Sequence, residues 1–577
     1  MSWRFLRSLR IRKEIKNFLY TDMLGVIAGV IGGLGAVVFR EMIKINRFIF
    51  FTLILSFLSC KLCNLNLGVI LLPALGGLIV GPLVFKYAPE AKGHGVPEVM
   101  EAVRLFQGKI RRRVALIKIF VSSVTIGSGG SAGREGPIAQ IGAAFGSILG
   151  DLLKVGGRER KLIVVSGLSA GIAGTFNAPL GGAIFGLEVM YGGLTLTNAI
   201  AVILAAVIGA AIVEAVYGPY PAFYAPPYLT FSNPAELIFY FLLGIIFGFL
   251  AVIWIKLFYF FEDLYDKLKI GYYKTAIGGL ITGILGFAFY EYGVLGVGYE
   301  GINLVLIGEL SLSLLLVLGT LKMLTTANTI GSGGSGGVFA PSLYIGAMYG
   351  GALGILFNIL CPSLVKHPFT YSLAGMAALF AATAHAPLSM IIMIPEMSND
   401  YSLLLPMMAA CSTSYIISRI MLGDSNIYTL KLKRKGIRIL LPYDFTLFEV
   451  LEVKEFMTKD VITITPDMHL NEVYNLIKET HHDCYPVIVK NELVGVVTVD
   501  DIMGVPFHLL QKLTVKDVMR RKFRYIYSDD SIKKAIEIMY SEGIGKIIVV
   551  SKSNPRKLDG ILTKTDIIKA YKYITAL

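Results

Sequence analysis

Residues 127–150 read GSGGSAGREGPIAQIGAAFGSILG, and residues 331–354 read GSGGSGGVFAPSLYIGAMYGGALG. Laid over each other without gaps at an offset of 204, they agree at 13 of 24 positions. Farther along, FNAPLGGAIFGLEVM (176–190) parallels AHAPLSMIIMIPEMS (384–398), pairing Pro179 with Pro387 and Glu188 with Glu396 at an offset of 208. Glycine-rich segments align easily by composition, but two motifs in the same order at nearly the same offset point to duplication. Duplicated halves with matching Gly/Pro-interrupted segments mark many transporter folds, with the binding site at the interface of the halves. The alignment leaves open whether the halves run parallel or inverted.

The chain around these motifs has 577 residues, 55% hydrophobic and 16% charged, with mean hydropathy +0.66. An ordinary soluble domain carries about 25% charged residues, so a soluble enzyme is nearly excluded for the bulk of the chain, and disorder with it. Apolar candidate spans cover roughly 23–45, 68–86, 196–217, 236–260, 272–293 and 303–324, each reaching the roughly 20 residues that cross a bilayer. Residues 162–187 and 323–365 carry no charge, yet are interrupted by Gly, Asn and Pro. Such broken helices survive at membrane depth only inside protein or along a wet cavity.

The net charge of +14 belongs to cytoplasmic segments of a membrane protein rather than to a nucleic-acid partner. Arg4, Arg7, Arg10, Arg12, Lys13 and Lys16 face only Glu14 and read as an amphipathic cytoplasmic helix over 1–20, not a signal peptide. Lys431, Lys433, Arg434, Lys435 and Arg438 form a second basic run. A multi-pass cell-membrane protein with both termini cytoplasmic is expected. The domain reading is a membrane block over 21–425 (halves about 21–217 and 230–425), the end of the last helix and a basic linker over 426–455, and two soluble repeats over 456–507 and 514–577. Five cysteines make no disulfide framework, and the lone Cys60-x-x-Cys63 lacks a redox or metal context.

The glycine runs precede helical patterns. A helix start leaves backbone N–H groups free and carries about half a positive charge. Two or three such starts converging at mid-membrane hold a small anion without a cationic side chain to trap it. On glycine alone, close helix packing is the better explanation of the pattern. Glu135 changes the balance, because an ionisable group in a membrane interior is costly and usually functional. A carboxylate there can occupy the anion's own site and swing away once protonated, as gate and proton carrier; the plainer role is pairing with Arg134 or with the helix dipole.

GHGVPE (93–98), GREGP (133–137) and GGVFAP (336–341), in that order, resemble the signatures of the CLC family of chloride channels and proton/chloride exchangers. The resemblance implies an all-α polytopic fold with inverted repeats, a homodimer with one pathway per subunit, and chloride or a related small anion as substrate. It makes Glu135 the gating glutamate, with Gly133, Arg134, Gly136 and Pro137 at one helix start and Gly337 and Pro341 at another. The backbone N–H groups of Val338 and Phe339 match part of the anion site. His94, beside Gly95, stands where the family has a serine, and either donates to the anion or points away from the pore. Tyr428 matches the family's inner tyrosine in the last membrane helix, or is an interfacial belt tyrosine. The family's inner proton-accepting glutamate aligns with Val189, next to a structural Glu188. Valine cannot titrate, so passive chloride conduction is favoured, with proton-coupled exchange as the alternative.

The tail resembles a pair of CBS domains, an α/β module. Thr498 with Asp501, and Thr563 with Asp566, match positions that contact ribose in nucleotide-binding pairs. The expected ligand is ATP, ADP or AMP; the plainer role is helix capping in a dimerisation module. No cofactor or metal is required by this reading. A remote alternative, a CBS-containing divalent-cation transporter, would want paired carboxylates in the spans, which are scarce. No nucleophile–base or metal-ligand cluster suggests an enzyme, and the His481–His482 pair reads as solvated.

Overall fold

The computed structural model of the chain describes residues 3–58, 61–62, 65–191, 196–231, 233–437, 448–449 and 451–576. Cys60, Cys63 and Arg438, and the side chains of the N-terminal basic cluster, lie outside the described residues. The chain divides into two compact units, Met1–Ile439 and Leu440–Leu577.

The first unit is helical. Among the described residues, seven helices are long and apolar enough to cross a membrane: Leu19–Leu58, Leu67–Tyr87, Asn198–Tyr217, Pro234–Lys267, Leu312–Gly331, Phe339–Leu360 and Leu404–Leu422. The span expected over 303–324 is two helices, Tyr299–Leu306 and Leu312–Gly331. Gly308 turns at φ +82° just beyond the first, and the Ser311 hydroxyl caps the second by accepting Leu314 N–H at 3.4 Å. A left-handed glycine and a serine cap are a stop and a start that hydropathy does not register. The expected span over 272–293 likewise becomes the α-helix Lys274–Gly286 followed by a 3₁₀ stretch, Phe287–Tyr292.

The two halves are related by two-fold symmetry, written in reciprocal hydrogen bonds. Gly133 N–H donates to the Gly337 carbonyl at 2.7 Å, and Gly337 N–H donates back to Gly133 at 2.6 Å. Ser122 meets Ser335 hydroxyl to hydroxyl at 2.8 Å, while Ser131 meets Thr326 at 2.9 Å. Glu188 accepts from the N–H groups of Leu388 and Ser389, and Glu396 from those of Leu180 and Gly181. In each set, residue i of one half meets residue j of the other, and the counterpart of j meets the counterpart of i. Such self-complementary contact is the signature of a two-fold axis between the halves.

The helices approach closely because their facing residues are small. Gly142 on Glu135–Leu152 and Gly167 on Gly157–Phe176 face each other so tightly that a Cβ on either would overlap the partner's carbonyl. Gly346 and Gly375 repeat the arrangement between Phe339–Leu360 and Thr370–Ala384.

The second unit holds two α/β repeats. In the first, strand Cys484–Val489 pairs antiparallel with Glu492–Thr498 beside helix Leu470–Thr480. In the second, Tyr525–Tyr527 lies parallel to Lys546–Val550, which pairs antiparallel with Leu558–Thr563. Ahead of its helix, the first repeat adds a parallel bridge between Ile464 and Val487. Each repeat has its own apolar core, one around Val473, Tyr485 and Val497, the other around Ile532, Ile547 and Leu562.

Candidate anion site and gate

Where helix Arg113–Gly127 ends, Gly129 turns at φ +98°; where Leu312–Gly331 ends, Gly333 turns at φ +110°. Gly93 and Gly95, on either side of His94, take φ +76° and +83°. Side-chain-bearing residues rarely adopt these values. The turns bring the next helices to start against one another. A Cβ on Gly136 would overlap the His94 carbonyl, and one on Gly133 would overlap the Glu135 carboxylate and lie 3.2 Å from the Ala340 nitrogen. The three glycine motifs are therefore in mutual contact.

Glu135 opens the helix Glu135–Leu152 and is 2% exposed. One carboxylate oxygen accepts the Tyr299 hydroxyl at 3.1 Å; the other accepts Ala340 N–H at 3.3 Å. Ala340 is in the first turn of Phe339–Leu360, with Val338 as its N-cap. The carboxylate thus sits at the positive end of a helix from the other half, where a small anion would be bound. Pro137 and Pro341 lie in first turns, where a missing N–H costs nothing. Arg134 does not take the simple role of pairing with Glu135: its guanidinium donates to the Thr175 carbonyl at 3.3 Å and lies 5.1 Å from the Tyr299 ring centre.

Tyr428 is 2% exposed, which excludes an interfacial belt position. It also lies outside the last long helix, Leu404–Leu422, as the N-cap of the short helix Thr429–Arg434. Asn426 holds it there by accepting Tyr428 N–H at 2.9 Å. The Tyr428 ring lies 5.5 Å from the His94 ring and 6.4 Å from Phe380, and Phe380 lies 4.3 Å from Phe339. His94, 1% exposed, is packed between Phe258 and Tyr428, and neither ring nitrogen has a hydrogen-bond partner. A buried polar pair left unsatisfied in this way calls for a ligand.

Val189 is buried in a π-helical turn, Gly186–Tyr191. The neighbouring Glu188 accepts Ser389 N–H at 2.8 Å and the Ser389 hydroxyl at 2.5 Å, so it is committed to capping the helix Pro387–Ser398.

The sequence reading does not single out Tyr299, although a signal is there: GVGYEG (296–301) mirrors GHGVPE (93–98) at an offset of 203. Two buried lysines at the repeat offset clamp the paired loops. Lys118 donates to the carbonyls of Ala91 and Gly93 at 3.0 and 2.8 Å; Lys322 donates to those of Gly293 and Gly296, both at 2.9 Å.

In the tail, Asp501 accepts Thr498 N–H at 2.9 Å and its hydroxyl at 2.7 Å, and Arg520 donates to its other oxygen at 2.8 Å. Burial opposes the charge on Asp501, but the Thr498 and Arg520 bonds outweigh it and hold the carboxyl below its ordinary range. Asp566 caps Thr563 in the same way. A cavity of about 760 Å³ is lined by Lys478, His481, His482, Thr498, Arg520 and Lys546, among others. Its walls include Thr498 but not Asp501, Thr563 or Asp566.

The comparisons with known proteins agree with this geometry. Residues 76–419 match the family described as voltage gated chloride channel, and residues 453–507 and 515–573 match CBS domains. The chain is 35% identical over 376 residues to the H(+)/Cl(-) exchange transporter ClcA of Vibrio parahaemolyticus, covering 64% of this chain and 80% of that one. It is 34% identical over 373 residues to a putative ClcB-like chloride channel protein of Ralstonia nicotianae, covering 63% and 85%. A slow cyanobacterial Cl−/H+ antiporter superposes with TM-score 0.64 at 26% identity over 72% of this chain and 97% of that one. A eukaryotic CLC transporter shares the fold, with TM-score 0.59 at 19% identity, over 96% and 98%.

Helix starts meeting across an inverted repeat around a buried carboxylate define a membrane transport protein for small anions. The chain belongs to the CLC family of chloride-transporting membrane proteins and carries a CBS domain pair.

Proposed function

We propose that the protein exchanges chloride for protons, with Glu135 as both gate and proton carrier. The observation that carries this reading is the Glu135 carboxylate bound at the start of the opposing helix by Ala340 N–H and Tyr299. Ionised, it competes with chloride for that place; protonated, it loses its attraction to the helix start and yields. Relatives named H(+)/Cl(-) exchange transporters support coupling over the passive conduction that Val189 favours in the sequence. Channel-like conduction is kept as a second reading because Val189 has no proton to carry and Glu188 is committed to its cap. In this proposal the anion passes the Val338 and Phe339 helix start, His94 and Tyr428, and the protein is a transporter, not an enzyme.

The proposal extends to arrangement and regulation. The basic run that includes Lys431, Lys433 and Lys435 supports cytoplasmic termini. A homodimer follows from the resemblance, and the exposed Leu405, Met408, Ile416 and Ile420 leave an apolar face for a second copy or for lipid. The tail cavity, with Lys478, Arg520 and Lys546 on its walls, suits the phosphates of an adenine nucleotide.

The test is flux against opposing gradients. Proteoliposomes loaded with chloride at equal pH on both sides are diluted into low chloride with a potassium ionophore. Exchange drives protons inward as chloride leaves, and the bath turns alkaline. Chloride loss with no change in bath pH would establish the passive reading instead.

A further inference from the structure

Exchange needs a proton to travel between the side of the basic run and Glu135. The buried titratable groups of the membrane block are almost all committed. Lys118 and Lys322 each hold loop carbonyls. Glu188 and Glu396 each cap a helix of the other half. Glu98 pairs with Lys431 at 2.8 Å, Glu236 accepts from Tyr371, and His385 meets Ser418. Among the described residues, His94 is the one buried carboxylate, amine or imidazole with no polar atom partnered. Its carbonyl touches Gly136, next to the gate, and its ring touches Tyr428, which adjoins the basic helix Thr429–Arg434.

We infer that His94 carries the proton between that side of the protein and Glu135. The assignment rests on the exchange reading and deepens it. A neutral imidazole takes a proton on its free ring nitrogen and becomes imidazolium. It then gives one up to the Glu135 carboxylate, returns to neutral, and leaves an uncharged acid that vacates the helix start. The groups around the His94 turn are Glu98 on the helix that follows it, Lys118, which binds the Gly93 carbonyl, Lys431 and Lys435, which pair with Glu98, Tyr428 against the ring, and Glu135 beyond Gly136, which the His94 carbonyl touches. Three lysines against two glutamates, Glu98 and Glu135, leave chloride itself as the counter-charge for an imidazolium. Proton and anion therefore favour each other at this point, as Coulomb attraction in a low-dielectric site requires. No alternative buried carrier is needed at Val189.

The full chain is tested in proteoliposomes by the ratio of proton to chloride flux. H94Q keeps a donor of similar size but cannot titrate; H94S is a smaller replacement if the first does not fold. The expected result is a proton-to-chloride ratio at least tenfold below wild type, read at whatever chloride flux the variant retains. An unchanged ratio in a chloride-transporting variant overturns the assignment and leaves exchange standing. Loss of chloride flux in both variants, with both folded, marks the ring as an anion ligand alone and also overturns it. A wild type that moves no protons removes the exchange reading and the carrier with it.

Discussion

Tyr299 shows how one hydroxyl can set the poise of the proposed gate, Glu135. Its bond at 3.1 Å and the Ala340 N–H at 3.3 Å are the two tethers that hold the Glu135 carboxylate in place. A hydrogen bond of this kind is worth about 1 kcal/mol net, somewhat more to a charged acceptor. Y299F is therefore expected to raise the released population of Glu135 by about fivefold or more. Chloride flux at alkaline pH, where the carboxylate is ionised and tethered, should rise in proportion. Flux that stays at the wild-type level across the alkaline range would mean the phenol does not restrain the gate. Tyr299 is legible in principle, since GVGYEG repeats GHGVPE, but glycines carry that repeat, and no chemistry in the motif announces a phenol aimed at a carboxylate. The reverse holds for Glu135, which stands out because a lone acid amid apolar sequence is too costly to keep without a task.

Elements pack here through backbone rather than through interlocked side chains. Gly142 against Gly167, and Gly346 against Gly375, let two helix pairs touch at their carbonyls. A methyl at any of the four has no space, and overpacking typically costs about 1–3 kcal/mol. G167A and G375A are expected to lower the melting temperature in detergent by similar amounts, because symmetry makes the sites equivalent. Gly35 supplies the contrast: its nearest neighbours to an added Cβ are side-chain carbons of Ile141 and Phe145 at 3.6 and 3.8 Å, ordinary contact. G35A should be neutral or slightly stabilising, since alanine is the better helix former. Equal tolerance of all three substitutions would contradict the packing described. The glycines are visible in the sequence, but which of them face a second glycine depends on helix rotation and crossing, which only the packed halves specify.

The whole molecule is two compact units with separate cores, so separate unfolding transitions are expected. The tail's stability should carry an acid signature. Asp501 has a lowered carboxyl pKa in the folded state, so its contribution is complete above the unfolded value of about 3.9 and disappears as pH falls through the folded value. D501A is expected to destabilise the tail by about 1–2 kcal/mol at pH 7 through loss of the Thr498 cap. The gap from wild type should narrow below about pH 4, and the membrane unit's transition should stay where it is. A gap that persists at low pH would show that packing, not the ionised cap, is what the substitution removes.

Apolar content, spacing of the repeats and the order of three glycine motifs were enough to declare a duplicated membrane transporter with a two-repeat tail, and to single out Glu135 as its candidate gate. Those features are local and one-dimensional: hydropathy, periodicity and backbone permissiveness are properties of neighbours along the chain. The two-fold pairing of the halves, the break at Gly308, the commitment of Glu188 to Ser389, the Tyr299 bond to Glu135 and the unpartnered ring of His94 were decided only by tertiary structure. Most of these depend on what a side chain or a free N–H meets across more than a hundred residues of sequence, and burial settles that meeting by penalising every polar group that arrives without a partner.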